Sequence, residues 1–132
     1  MDTYGRLYNG YAVSDSRSLC PNGWHVPTDD EWTFMTEFLG GEAIAGSQMK
    51  ADYGWQSGGN GTNSSGFSGL PGGYRFENGS FSSAGITGIW WSSSGNGSSA
   101  WSRQLSLSSQ SVNRSSNNLE NGFSVRCVRD VE

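Results

Sequence analysis

The chain has 132 residues, a net charge of −4 and a single lysine, Lys50, so it lacks the clustered cations that phosphate backbones require and reads against a nucleic-acid partner. Hydrophobic residues make up 33% and charged residues 15%, both low for a globular protein. An aromatic content of 13% with six tryptophans nevertheless excludes a disordered chain, because large rings can build a core where aliphatic residues are scarce.

The length suits one domain, residues 1–132. No apolar run approaches the roughly 18–20 residues that cross a bilayer, so no membrane insertion is expected. No signal peptide is visible, and the chain is read as an excised, monomeric domain of a larger protein whose export signal has been removed.

In chain order, residues 4–13 place aromatic and apolar side chains on either side of Asn9-Gly10, which predicts a hairpin turn. A polar connection leads to Cys20. Its only possible cysteine partner is Cys127, near the other end. In an exported protein the two form one disulfide; in a cytosolic one they are buried thiols. A disulfide would close a loop of roughly 100 residues, worth about 4–5 kcal/mol in the chain-entropy account. A metal site built on these cysteines would have only His25 to complete it.

Thr28-Asp29-Asp30-Glu31 is a capping box, with acidic residues where the helix dipole favours them. Trp32, Met35 and Leu39 follow at helical spacing, with Phe38 beside them, and Gly40-Gly41 ends the helix. A second short helical turn is expected around Glu42 to Ala45. Residues 57–68 read as a long polar loop. Leu70 to Arg75 suggests a close backbone approach, and Glu77 to Phe81 a turn. Ile89 to Ser92 is a predicted strand, and residues 93–99 a loop. Trp101, Leu105 and Leu107 then share one strand face, leaving Ser102, Gln104, Ser106 and Ser108 on the other. Residues 111–115 form a polar strand paired with it. Phe123, Val125 and Cys127 alternate as a core strand. The order of strand, helix, long loops and more strands is an α+β pattern.

Several segments together resemble the Fibrobacter succinogenes major paralogous domain (FISUMP). They are Tyr4-Gly5-Arg6-Leu7-Tyr8-Asn9, Cys20-Pro21-Asn22-Gly23-Trp24-His25-Val26-Pro27-Thr28 with Glu31-Trp32, Leu70-Pro71-Gly72-Gly73-Tyr74-Arg75, Trp90-Trp91-Ser92-Ser93, and Gly122-Phe123-Ser124-Val125-Arg126-Cys127-Val128. The resemblance spans nearly the whole chain. The family is similar to formylglycine-generating and C-type-lectin-like domains, which implies a C-type-lectin-like fold with the chain ends paired in one sheet. It also implies a secreted or cell-surface bacterial protein. Some relatives are variable receptor-binding proteins of diversity-generating retroelements, with substitutions concentrated on the exposed face of the C-terminal strands. This chain departs from the family at Gly10, usually aromatic, and in its serine-rich C-terminal strands (Ser102, Ser106, Ser108, Ser109, Ser115, Ser116).

Chemistry-bearing motifs are sparse. Formylglycine generation needs a close cysteine pair in the C-terminal part, where only Cys127 lies. A catalytic triad would have to use His25, which reads instead as a structural hydrogen bonder. Asp29, Asp30, Glu31 and Glu37 cluster as a glycosidase pair would require, but helix-start charge accounts for the first three. No cofactor is expected. The calcium patterns of lectins are missing, and only a structural Ca²⁺ held by backbone carbonyls and scattered side chains stays open. Among the tryptophans, Trp90 and Trp91 read as core. Trp55 and Trp101 are candidate platforms, Trp55 being the more exposed in expectation, although a loop tryptophan commonly packs its loop down.

The remaining candidate is a polar face of Ser102, Gln104, Ser106, Ser108, Ser111, Asn113 and Ser115, with Arg103 and Arg114 on or beside it. Small polar side chains offer adaptable hydrogen bonds, and Arg or aromatic neighbours would anchor a ligand. An ordinary solvated strand has the same composition. The expected function is recognition of a protein or glycan on another cell surface through this face and residues 57–68, without catalysis. A structural surface domain is the alternative, and a carbohydrate-active or formylglycine-type enzyme a distant third.

Overall fold

Successive side chains of a strand point to opposite faces, and the adjacent Trp90 and Trp91 exploit this to serve two different cores. In this computed structural model, which describes residues 4–15 and 19–130, both lie in strand β5 (Thr87–Asn96). That strand pairs antiparallel with β6 (Ser99–Ser106), which pairs antiparallel with β7 (Val112–Asn118). Trp90 joins Trp32, Ala45, Met49, Trp55, Phe67, Leu105 and Val112 on one side of this sheet. Trp91 joins Ile89, Ala100 and Phe123 on the other. Edge-to-face contacts run from Trp32 to Phe67 (5.7 Å) and from Phe67 to Trp90 (5.4 Å). Rings thus replace the scarce aliphatics as the main filling of the core.

The helix predicted from the capping box is α2 (Asp29–Phe38), formed as expected. Thr28 Oγ1 accepts from Glu31 N at 3.1 Å, and Glu31 Oε1 accepts from Thr28 N at 2.9 Å. Trp32 faces the core, whereas Phe34 and Phe38 lie outward. Gly40 and Gly41, both at positive φ, end the helix. The short helical turn expected next is shifted along the chain and becomes helix α3 (Ala45–Met49).

Three local expectations are corrected. Asn9-Gly10 does not turn a hairpin. Tyr8–Asn9 is strand β1, and Asn9 caps helix α1 (Gly10–Ser14), its Oδ1 accepting from Ala12 N at 2.9 Å. Gly10 is packed so closely that a Cβ there would collide with Leu119. Residues 93–99 are not a loop, because β5 runs on to Asn96 and turns through Gly97 (φ +69°) directly into β6. Two hydrogen bonds to the start of α2 hold this extension: Ser93 N donates to Pro27 O (2.8 Å) and Asp29 N to the Ser94 side-chain Oγ (2.8 Å). Finally, the predicted strand through Phe123, Val125 and Cys127 is interrupted.

The interruption gives two short strands with different partners. Strand β2 (Trp24–His25) waits near the N-terminus, and the Tyr74–Arg75 and Phe81–Ser82 hairpin forms β3 and β4. Strand β8 (Gly122–Phe123) pairs antiparallel with β1, and strand β9 (Val128–Arg129) pairs antiparallel with β2. The two ends of the chain are therefore held together twice. The Cys20–Cys127 disulfide closes the same junction, across a sequence separation of 107. The architecture is α+β with mainly antiparallel sheets.

Residues 57–68 are more ordered than their composition suggests. Gly61 N donates to Ala51 O, Thr62 N to Ser47 O and Ser65 N to Gln48 O, at 2.8–3.1 Å. Phe67 plugs the loop into the core. Gly73 (φ +68°) allows the close approach expected of Leu70 to Arg75, since a Cβ there would strike the Ser82 carbonyl.

Candidate functional site

The register of β6 and β7 divides the predicted binding residues between two faces. Trp101 opposes Ser116, Arg103 opposes Arg114 and Leu105 opposes Val112, all on the side of α2. Ser102 opposes Ser115 and Gln104 opposes Asn113 on the other side. The polar residues Ser102, Gln104, Asn113 and Ser115 thus share one side of the strand pair, and Arg103 and Arg114 fall on the opposite one.

On the α2 side, the arginines belong to an internal ion cluster. Arg103 is buried, with 1% of its side chain exposed. Its Nη1 donates to Asp29 Oδ1 (2.7 Å), and its Nη2 to Asp29 O (3.2 Å) and Thr33 Oγ1 (3.0 Å). Arg114 Nη2 donates to Asp29 Oδ2 (2.6 Å), and its guanidinium stacks 3.5 Å from the centre of the Trp101 ring. The hydrogen bonds from Arg114, then those from Arg103, hold the Asp29 carboxyl below the usual range against the opposing effect of burial. Asp29 thus does more than favour the helix dipole: it clamps α2 to the β6–β7 hairpin.

Three predicted site residues are corrected by burial. Arg103 is one. Ser102 lies beneath the Trp91 and Phe123 cluster, its cross-strand neighbour on β5 being Trp91, and its Oγ reaches Asn117 Oδ1 at 2.6 Å. Trp55 is 5% exposed. Its Nε1 donates to Gly69 O (3.1 Å) and Lys50 Nζ sits 5.3 Å from its ring centre, so it packs the loop down. Lys50 is itself buried and donates to Ser106 O (3.0 Å) and Ser109 O (3.1 Å), pinning the β6–β7 turn; burial lowers its pKa.

What stays accessible is the outer face. Gln104, Ser106 and Ser111 are half-buried, while Ser108, Asn113 and Ser115 are exposed. Gln104 lines two grooves. One, of about 620 Å³, continues along Glu42, Ser111, Asn113 and Ser115. The other, of about 300 Å³, is lined by Tyr74, Phe76, Asn117, Asn121 and Phe123. Tyr74, Phe76, Asn117 and Asn121 were not singled out from sequence. Tyr74 and Phe76 flank the turn signal at Asn78-Gly79, but nothing local brings that hairpin against β6.

His25 forms a separate polar constellation. Nδ1 lies 2.6 Å from Asp130 Oδ1, and Nε2 lies 2.8 Å from Glu31 Oε1. Both nitrogens face carboxylates, which favours the imidazolium. Asp130, then Glu31, raises the His25 pKa above 6.5. Burial pushes Glu31 up, but the Thr28 N–H and His25 outweigh it and leave the carboxyl below its usual value. The arrangement matches the expected structural role. The raised histidine pKa means its contribution is complete below the unfolded value near 6.5 and is lost as pH rises through the higher folded value. The stability gap between the native protein and His25→Gln should therefore shrink as pH rises from below 6.5 through the higher folded value, read as urea midpoints. A gap that is constant or widens over that range contradicts the assignment.

Among the described residues, no group of three or more His, Cys, Asp or Glu converges as a metal centre would require, and no helix is long and apolar enough to cross a membrane. No curated protein and no solved structure gives a significant match. The sequence profile of the Fibrobacter succinogenes major domain matches residues 1–129. With that match covering all but the last residues, and with Gly122–Cys127 forming the junction that closes the fold, the chain belongs to the Fibrobacter succinogenes major domain family.

Proposed function

We propose that this is an extracellular recognition domain, C-type-lectin-like in arrangement, that binds a glycan on another cell surface through the outer face of β6 and β7. The observation that carries the reading is the position of Gln104, shared by a polar groove, in which Ser111, Asn113 and Ser115 stand beside Glu42 and Arg114, and an aromatic one. A sugar ring presents hydroxyls to amides and an apolar C–H face to aromatic rings, and this lining offers both kinds of partner together. A protein ligand is the second reading, supported by the exposed Asn113 and Ser115 on the outer face, whose side chains can change without touching the Asp29 cluster, as a diversified surface needs.

Catalysis is not part of the proposal. Both nitrogens of His25 are directed at carboxylates, and both cysteines are joined in a disulfide. The disulfide and the doubly paired chain ends support an oxidising, extracellular setting and a lectin-like closure.

The test is capture on glycan and surface-protein arrays, followed by Gln104→Ala. The substitution should weaken glycan binding on the order of tenfold or more while leaving the thermal midpoint unchanged. Capture only by proteins favours the second reading. No capture at all, or capture that Gln104→Ala leaves intact, defeats the assignment of this face. In the genome, a reverse transcriptase beside a near-identical repeat of the C-terminal coding region would support diversification.

A further inference from the structure

A second cavity, sharing no lining residue with the Gln104 grooves, opens beside the disulfide. Its volume is about 310 Å³, and Trp24, Pro27, Trp32, Met35, Phe67 and Val128 make most of its wall apolar. Two residues on that wall carry hydrogen-bond donors that the protein leaves unfilled. Trp32 Nε1 is a buried side-chain polar atom with no acceptor. Arg126 makes no hydrogen bond or ion pair among the described residues; its guanidinium lies over Phe67, 4.3 Å from the ring centre.

An arginine that is half-buried normally has a carboxylate or carbonyl to fill its fork of donors. Arg103 shows the usual solution in this same chain, with Asp29 and Thr33. Arg126 has only the face of a ring, and its surroundings are poor enough in water that burial lowers its pKa. Arg129 stands at the rim, 5.7 Å from the ring centre of Trp24. Among the described residues the one acid on the wall, Glu31, is already engaged by His25 and the Thr28 N–H. The cavity therefore combines an apolar interior with uncompensated positive charge.

We infer that this cavity binds a small apolar carboxylate of about one-ring size, its body against Trp24, Trp32, Met35 and Phe67 and its carboxylate on Arg126. A charge-assisted, bidentate contact to a guanidinium in such surroundings is among the stronger polar contacts available, and the carboxylate supplies the acceptor that the apolar wall lacks. The site is independent of the glycan reading, and a failure of either leaves the other standing.

Phenylacetate and its uncharged amide, phenylacetamide, are the probes. They are titrated into the intact protein while proton–nitrogen correlation spectra follow the backbone and the indole N–H groups. Phenylacetate should give saturable shifts at Trp24, Trp32, Arg126 and Val128, and phenylacetamide should bind on the order of tenfold more weakly. Arg126→Gln should abolish that preference, and Arg126→Lys should keep part of it. Equal affinity for acid and amide overturns the proposal. So do an absence of saturation up to about 10 mM and shifts confined to Gln104 and Asn113. If Arg126→Gln does not fold, the acid–amide comparison on the native protein decides alone.

Discussion

Replacing Cys20 and Cys127 together with alanine should lower the unfolding free energy by about 2–5 kcal/mol. The bridge spans 107 positions, so in the chain-entropy account it removes much of the freedom of the unfolded chain. The native structure depends on it locally as well. The β2–β9 pair beside it consists of Trp24 opposite Arg129 and His25 opposite Val128, and a ladder that short does not persist alone. The His25 bonds to Asp130 and Glu31 and the Asp130 N–H bond to Gly23 O also tie that junction. The expected result is a large fall in urea midpoint, with β2 and β9 losing amide-exchange protection before the β5–β6–β7 sheet. A midpoint matching the native protein would show that the core alone sustains the fold. Alkylation of the native protein should find neither cysteine reactive.

Asp29→Ala should cost about 3–5 kcal/mol, the range for removing one partner of a buried ion pair. The usual cost of leaving a buried charge is compounded here by register. Arg103 and Arg114 lie directly opposite on paired strands, and like charges in that position repel. Asp29 bridges both, at 2.7 Å and 2.6 Å, and offsets part of that repulsion. Replacing Asp29 with Leu and Arg103 with Met in the same chain should recover much of the loss, because a buried pair is often exchangeable for apolar packing although neither charge is dispensable alone. The double-mutant cycle in urea measures this. A single-variant cost below about 1 kcal/mol would mean the cluster behaves as an exposed pair. Because the Asp29 carboxyl is held below 3.8, its contribution is present above the unfolded value and is lost only as pH falls through the lower folded one. The native protein should accordingly lose its advantage over Asp29→Ala only in strong acid.

Asp29 and Lys50 hold the β6–β7 hairpin from opposite ends, Asp29 through Arg103 and Arg114, Lys50 through the carbonyls of Ser106 and Ser109. The outer face carrying Gln104 and Asn113 is thus presented on a strand pair anchored from beneath. A ligand would meet a surface whose position is already set, which reduces the ordering cost of binding.

Features governed by near neighbours were legible in the residues. Thr28 and Glu31 find each other within one helical turn, so the cap of α2 was readable, as was its end at Gly40-Gly41. The cysteine count left the disulfide as one of two readings, and the alternation of Trp101 and Leu105 placed them on one strand face. The dipeptide Asn-Gly marks the limit of such reasoning. At Asn78-Gly79 and Asn96-Gly97 it accompanies hairpins, whereas at Asn9-Gly10 it starts a helix, because Gly10 must fit beneath Leu119, more than a hundred positions away. The same distance effect buried Arg103, Ser102 and Trp55. Composition marks serine and arginine as surface residues, but only the packing of α2, Trp91 and the Gly69 carbonyl against them decides otherwise. By itself, the sequence determined the family, the helix and the strand character of the C-terminal part. Tertiary structure alone decided which face of those strands meets solvent, since that depends on which distant element covers each side.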